Sequence, residues 1–369
     1  MDSKQIIEIF DPHFHLWNLN TENSTDDFSI SGHDHALLGN HHYPGKIYDI
    51  HAYLSDWDDL VRMPNFRLSG GCIMDVASVC FPKNPAGSEL ANRAQTMEYQ
   101  YFKDQASLVN KAYKAKSYFS SKIKFYVSPG VLLQSGKFIE DHLQILSDDP
   151  EVKSVRQILN QNPDWPRQSV NPENLLKNES WISGFKKLND LKSLSFEIHL
   201  NPHQFLDMAN VISNYGQNVP SFIICHLGTF TWNDLSFDDI LNESDAFNAK
   251  MNSYFNDLQV LKDSHPNVYV KVSYLFYMHK SWHQEPVYSK LGKVLEKVFQ
   301  IFGKDKVIFA SNYPLDKWSK DLDERKGADW LITNYIKILK EFVFKNSENT
   351  VQELDNFFSK NALKAYNIQ

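Results

Sequence analysis

The chain alternates short apolar runs with longer amphipathic stretches. Eight runs are rich in β-branched and aromatic residues: Ile6–Phe10, Cys72–Val79, Ile123–Leu133, Val152–Leu159, Leu194–Leu200, Phe222–His226, Val268–Leu275 and Val307–Ser311. Most are almost continuously apolar, the mark of parallel strands covered on both faces. Between them, Ala91–Ser117, Ile139–Ser147, Trp181–Leu191, Phe205–Tyr215, Ala249–Lys262, Tyr288–Phe302 and Trp330–Phe344 carry apolar residues at helical spacing. Helices between parallel strands make right-handed βαβ units. Eight such units predict an α/β fold of the (β/α)8 TIM-barrel type. A doubly wound open sheet is the alternative, but it usually has about five or six strands, and no Gly-x-Gly-x-x-Gly follows the first run.

Two polar stretches, Asn18–Lys46 and Gly228–Glu243, follow predicted strands. In a barrel they belong over the C-terminal mouth, where active-site loops lie. Ser347–Ile368 is predicted as a closing helix. At about 150 residues per domain, a length of 369 suggests two or three domains. The barrel reading assigns the surplus to loops instead. It expects one domain over residues 1–369, with a long first loop at 18–46 and a C-terminal helix at about 347–368.

Composition narrows the classes. With 42% apolar and 22% charged residues, the chain has both a core and a polar surface, which excludes a disordered chain. The net charge of −7 gives no basic footprint for nucleic acid. Three cysteines, Cys72, Cys80 and Cys225, form neither a disulfide framework nor a CxxC pair. The N-terminal IIEIF run is too short and too charged for a secretory signal, and no run is long enough for a membrane span. The expectation is a cytoplasmic protein with a small-molecule substrate and no nucleic-acid or membrane partner. With 14% aromatic residues, an aromatic-rich surface would favour a homodimer.

The polar residues that can meet lie at strand ends. Asp11, His13 and His15 share one parity at the end of strand one, and such residues point to one side. HxH there signals a metal site, with hydrogen bonding to substrate or backbone as the alternative. Strand five ends with Glu197 and His199 and is followed by His203; strand six ends in His226; strand eight ends in Asn312. Arg156 on strand four suits a carboxylate or phosphate, or a barrel acid. Lys271 on strand seven is read as a partner of Glu197 or a substrate contact. Trp17 and Trp165 are candidate pocket walls. The loop histidines His33, His35, His41 and His42 read as a solvated loop.

FDPHFHLW at Phe10–Trp17, VRQIL at Val155–Leu159, HLG at His226–Gly228, YVKVS at Tyr269–Ser273, SNYPLDK at Ser311–Lys317 and NALKAY at Asn361–Tyr366 together resemble the amidohydrolase-related family. This is the amidohydrolase branch that includes dicarboxylate and sugar lactonases. The resemblance implies a (β/α)8 barrel that hydrolyses a lactone, ester-like or amide bond in a small, often carboxylated substrate. Many relatives carry a general-base aspartate where this chain has Asn312, and an amide cannot take a proton near neutrality. A subgroup with SN(F/Y)P(V/L)DK is similar to this chain in having Asn there.

In the resulting scheme Arg156 and His203 anchor the substrate, with Trp17 and Lys271 beside it. His13, His15 and His226, or one divalent ion that they bind (zinc or manganese), polarise the carbonyl. His199 or Asp11 handles the proton, and Asn312 orients the water. Metal-free chemistry, a metal-dependent decarboxylase and a non-catalytic binding protein are the alternatives.

Overall fold

Eight parallel strands close into a ring. They are β1 (Ile7–Phe14), β2 (Phe66–Met74), β3 (Phe119–Ser128), β4 (Ser154–Ile158), β5 (Ser195–His199), β6 (Phe222–Ile224), β7 (Val268–Val272) and β8 (Val307–Phe309). The computed structural model describes residues 5–18, 47–75, 85–112, 116–161, 173–232, 234–317 and 327–369. The loop histidines His33, His35, His41 and His42, and Cys80 and Trp165, lie outside the described residues.

The ladder runs β1-β2-β3 in one part and β4-β5-β6-β7-β8 in the other. Two seams join the parts. Between β3 and β4, Arg156 N donates to Pro129 O (3.0 Å) and Val131 N to Arg156 O (2.9 Å). Between β8 and β1, Asn312 N donates to His13 O and His15 N to Tyr313 O, both at 2.8 Å. The predicted barrel is therefore closed, and it has no free sheet edge among the described strands.

Helices cover the outside: α1 (Ile50–Asp56), α2 (Glu89–Ala112), α3 (Lys137–Asp148), α4 (Glu179–Leu191), α5 (Phe205–Tyr215), α6 (Asp245–Asp263), α7 (Val287–Phe302) and α8 (Ala328–Ile338). Helix starts follow local chemistry. Asn178 accepts from Trp181 N to cap α4, and Ser244 accepts from Phe247 N to cap α6. The predicted closing helix is present as Thr350–Ala365, α-helical at both ends with a π-helical middle, Asn356–Lys360. None of the described helices is long and apolar enough to cross a membrane.

Strand β2 begins at Phe66, before the predicted Cys72. Gly70 and Gly71 make the run look like a turn. In the structure they are where backbones touch. A Cβ on Gly70 would lie 1.9 Å from Lys124 O, and one on Gly71 would lie 2.2 Å from Asp11 O. Glycine here serves close approach inside the sheet rather than a break in it.

The barrel interior is packed by Phe10, Cys72, Tyr126, Ile223, Tyr269 and Ile308, with Ala362, Ala365 and Tyr366 of the C-terminal segment beneath them. That segment is pinned by Asn361 Nδ2 to Val307 O (2.8 Å) and Ser195 Oγ to Ala365 O (3.1 Å). The interior floor thus comes from the last helix, and the polar groups described next lie above it.

Candidate active site

Four histidines from three strand ends stand in a row. His15 and His13 meet edge to face, with ring centroids 4.9 Å apart. His13 meets His226 at 4.4 Å, and His226 meets His199 at 5.3 Å. Each is anchored through Nδ1. Lys271 Nζ holds His13 at 3.2 Å, Met74 O holds His15 at 3.1 Å, Ser273 Oγ holds His226 at 2.8 Å, and Arg156 Nη2 holds His199.

These partners fix the tautomers. Ammonium and guanidinium groups only donate, so Nδ1 of His13 and of His199 accepts and the proton sits on Nε2. Met74 O only accepts, so His15 carries its proton on Nδ1. Ser273 can do either, which leaves His226 with both tautomers open.

Burial, reinforced by the positive charges of Lys271 and Arg156, pushes the basicity of all four rings down. His15 falls to about 4, through burial first and Arg156 second. His13, His199 and His226 are also lowered, in each case chiefly by burial. All four are neutral near pH 7.

His226 owes its position to backbone geometry. His226, Leu227, Gly228 and Thr229 all have positive φ, between 51° and 69°. Left-handed backbone costs an L-residue about 1–2 kcal/mol, so this turn is held by its surroundings. Gly228 is required there, because a Cβ would lie 2.2 Å from the Phe205 ring. Leu227 O accepts from the Tyr254 hydroxyl at 2.9 Å.

Below the row lies a buried ion pair. Lys271 Nζ donates to Glu197 Oε2 at 2.8 Å and to Pro12 O at 3.0 Å. Tyr366 donates its hydroxyl to the other oxygen of Glu197. Among the described residues, the cluster that brings metal-ligating atoms within 4.8 Å of one another is His13, Glu197 and Cys225.

That cradle already holds a cation, the Lys271 ammonium. Cys225 donates to Glu197 at 3.3 Å and is therefore a thiol, its pKa pushed up to about 12, chiefly by burial. A metal needs a thiolate and an open imidazole lone pair, whereas His13 turns its lone pair to Lys271. The predicted trio of His13, His15 and His226 has two cationic side chains nearby and, at strand eight, an amide in place of a carboxylate. These residues do not fit a resident divalent metal.

Arg156 is buried and reaches Asp75 O and His199; its closest carboxylate oxygen, on Asp75, is 4.0 Å away. Among the described residues, its Nε and the Nε2 of His13 are buried without a hydrogen-bond partner. Asn312 sits between His15 (Oδ1 to Nε2, 3.2 Å) and Asp316 (Nδ2 to Oδ1, 3.4 Å). The structure thus gathers His13, His15, His199, His226, Arg156 and Asn312, as the strand-end reading expects.

Four other predicted residues have different places. Asp11 does not share the histidines' parity. Strand β1 shifts register between Asp11 and Phe14, and a bulge of this kind re-aims side chains. The Asp11 carboxylate accepts from Tyr53 Oη (2.8 Å), Ser311 N (2.9 Å) and Ser311 Oγ (2.6 Å). It ties β1 to α1 and β8, and it reaches the row at the His13 backbone, whose N donates to it at 3.4 Å. Lys271 is fully buried in its ion pair, holding His13 and not a substrate. Trp17 is buried in the hydrophobic core beside Tyr48, centroids 5.3 Å apart.

His203 lines a separate cavity of about 420 Å³ with Asn201, Thr229, Thr231, Ser253 and Asp257, whose lining includes none of the four histidines. Sequence reasoning missed Tyr366 and Ser311. The SNYPLDK run holds Ser311, but nothing local marks it as Asp11's partner.

The model of the amidohydrolase family matches residues 148–368, more than half of the chain. The chain belongs to the amidohydrolase family. The uncharacterized protein y4mH of Sinorhizobium fredii is 24% identical over 98% of this chain and 99% of its own. An amidohydrolase of Burkholderia multivorans, solved with bound zinc, superposes with a TM-score of 0.62 at 13% identity, over 99% of this chain and 100% of that one. A probable 2-pyrone-4,6-dicarboxylic acid hydrolase of Acinetobacter baumannii, with citric acid bound, gives 0.55 at 15% identity, over 97% and 99%. A 2,6-dihydroxybenzoate decarboxylase from Rhizobium gives 0.52 at 12% identity, over 99% of each. At such identities these structures establish the shared barrel fold. Within this amidohydrolase the histidine row is the candidate reacting site, because it stands at strand ends on the face where barrel enzymes carry their chemistry.

Proposed function

We propose that this amidohydrolase hydrolyses a lactone, ester-like or amide bond of a small carboxylated molecule, without a resident metal. The observation that carries the reading is a pair of buried nitrogens without a hydrogen-bond partner among the described residues, His13 Nε2 in the row and Arg156 Nε beside it. A buried N–H with no acceptor costs about 1–3 kcal/mol. An oxygen-rich anion entering the mouth relieves that cost and meets the charge of Arg156. The Acinetobacter relative's bound citric acid is consistent with such a preference.

Neutral His13 and His199 each present Nε2–H, suited to a carbonyl oxygen that gains charge during attack. Neither can accept a proton in that tautomer. His226 can, because Ser273 Oγ accepts Nδ1–H as readily as it donates. Water attacks the carbonyl carbon and passes a proton to His226 Nε2. The bond to the leaving oxygen or nitrogen then breaks, and that atom takes the proton back. No net proton is held by the protein.

The test is turnover of a panel of carboxylated lactones, followed by product analysis, with wild type and His226→Gln as purified and after exhaustive chelation. Wild type opens a lactone with or without chelation, and His226→Gln loses at least about 100-fold in kcat. Release of CO2 in place of ring opening overturns hydrolysis. Activity that disappears on chelation and returns with zinc or manganese overturns the metal-free reading.

A further inference from the structure

Asn312 and Asp316 present a hydrogen-bond problem that has one low-cost solution. His15 Nδ1 must donate, since Met74 O has no proton to give. In a neutral ring, Nε2 then has only a lone pair, so the atom 3.2 Å away on Asn312 has to be a donor. The two ends of an amide have the same shape, and hydrogen bonds decide which is which. With Nδ2 toward His15, Asn312 Oδ1 faces Asp316 Oδ1 at the 3.4 Å separation. Two bare oxygens repel there, whereas a carboxylic acid O–H donates. The opposite assignment, with Oδ1 toward His15, needs an imidazolium in a buried row beside Arg156. It therefore buries a second positive charge near the guanidinium.

Asp316 is suited to hold a proton. It is 4% exposed. Its Oδ2 accepts from Tyr274 N at 2.7 Å. Among the described residues no lysine, arginine or histidine forms an ion pair with it. Among the described residues, the titratable groups that face it are Asp11, across β8, and Tyr313 and Tyr335, all acidic. Burial, with a further push from Asp11, raises its carboxyl to about 8. Asn312 itself sits at φ 54°, a left-handed position that asparagine tolerates better than most residues. Its backbone closes the barrel by donating to His13 O.

We propose that Asp316 is a positioning residue: as a carboxylic acid it orients the Asn312 amide so that His15 stands in the site as the neutral Nδ1–H ring. The strand-eight carboxylate that Asn312 lacks is thereby supplied four residues later, through an amide. The inference rests on reading the histidine row as the reacting site, but its test requires no turnover.

The full-length protein, labelled with 15N at histidine, is followed by long-range proton–nitrogen correlation between pH 6 and pH 9, with His15→Gln assigning the signals. In wild type at pH 6–7, His15 shows Nδ1 protonated and Nε2 bare, and Nε2 moves as pH passes about 8. Asp316→Asn retains a donor for Asn312 and an acceptor for Tyr274 at every pH, so its His15 signals stay at the low-pH position up to pH 9. Asp316→Ala loses that position at all pH values. A protonated Nε2 in wild type at pH 7, or identical pH behaviour of wild type and Asp316→Asn, overturns the proposal. Where a substrate is in hand, wild type has an alkaline fall in kcat that Asp316→Asn lacks.

Discussion

Replacing Lys271 by Met isolates the buried pair beneath the histidines. Met preserves most of the side-chain volume and removes three hydrogen bonds, to Glu197 at 2.8 Å, Pro12 O at 3.0 Å and His13 at 3.2 Å. At an effective dielectric of about 20, opposite charges 2.8 Å apart attract by about 6 kcal/mol. Part of this offsets the desolvation of both groups. Removing one partner of such a pair typically costs about 3–5 kcal/mol, because the other charge is left buried. Against a total stability of about 5–15 kcal/mol, that is a large fraction. Urea unfolding followed by tryptophan fluorescence reads it as a lower midpoint at unchanged slope. The double variant Lys271→Met/Glu197→Gln removes the stranded charge and still accepts from Tyr366. It recovers at least about 2 kcal/mol of the single variant's loss. A single-variant cost below about 1 kcal/mol, or a double variant whose loss equals the sum of the two single losses, refutes the uncompensated-charge reasoning.

Stability is expected to peak near pH 6.5. The four histidines have folded pKa values depressed below about 6.5, so their contribution is complete above that pH and is lost as pH falls below it, the share of His15 by about 4. Asp316 has a raised folded pKa of about 8, so its contribution is lost as pH rises toward 8, and Asp316→Asn flattens that alkaline limb in urea titrations. Vacating the cradle by Lys271→Ala should create a zinc site from His13, Glu197 and Cys225. Added zinc at 100-fold over Kd then raises that variant's unfolding free energy, read from urea titration, by about 2.7 kcal/mol, with no effect on wild type; equal responses contradict the assignment of the ammonium to that place. Gly71→Ala forces a Cβ to 2.2 Å from Asp11 O and costs at least about 2 kcal/mol of stability; a wild-type melting temperature refutes the close-approach explanation.

The strand runs and their parity carried most of the fold and much of the site. His13, His15, His199, His226 and Arg156 are found together because alternation along nearly regular strands dictates it. The failures have local causes. Asp11 is misassigned because a register shift in β1 breaks the parity that relates it to His13. Strand β2 is started late because the Gly70–Gly71 pair reads as a turn when it in fact admits two neighbouring backbones. Lys271 is rightly paired with Glu197 but is not a substrate contact, since burial of its ammonium depends on packing that no single strand encodes. Asp316 is reachable from Asn312 only through the turn that begins at φ 54°, which the sequence hints at through asparagine and does not specify.

Tyr366 gives the site a timetable. Its hydroxyl completes Glu197, and Glu197 holds the lysine that holds His13. Yet Tyr366 lies 169 residues after Glu197 and 354 after Pro12, whose carbonyl it also contacts. A ribosome delivers the chain from the other end, and chains begin to fold in that order. His13 and His15 therefore emerge well before Tyr366. Until the last helix docks under the barrel, the glutamate lacks its phenol donor and the interior lacks its floor. The native arrangement at the mouth thus waits on a C-terminal segment made long after the first two histidines of the row.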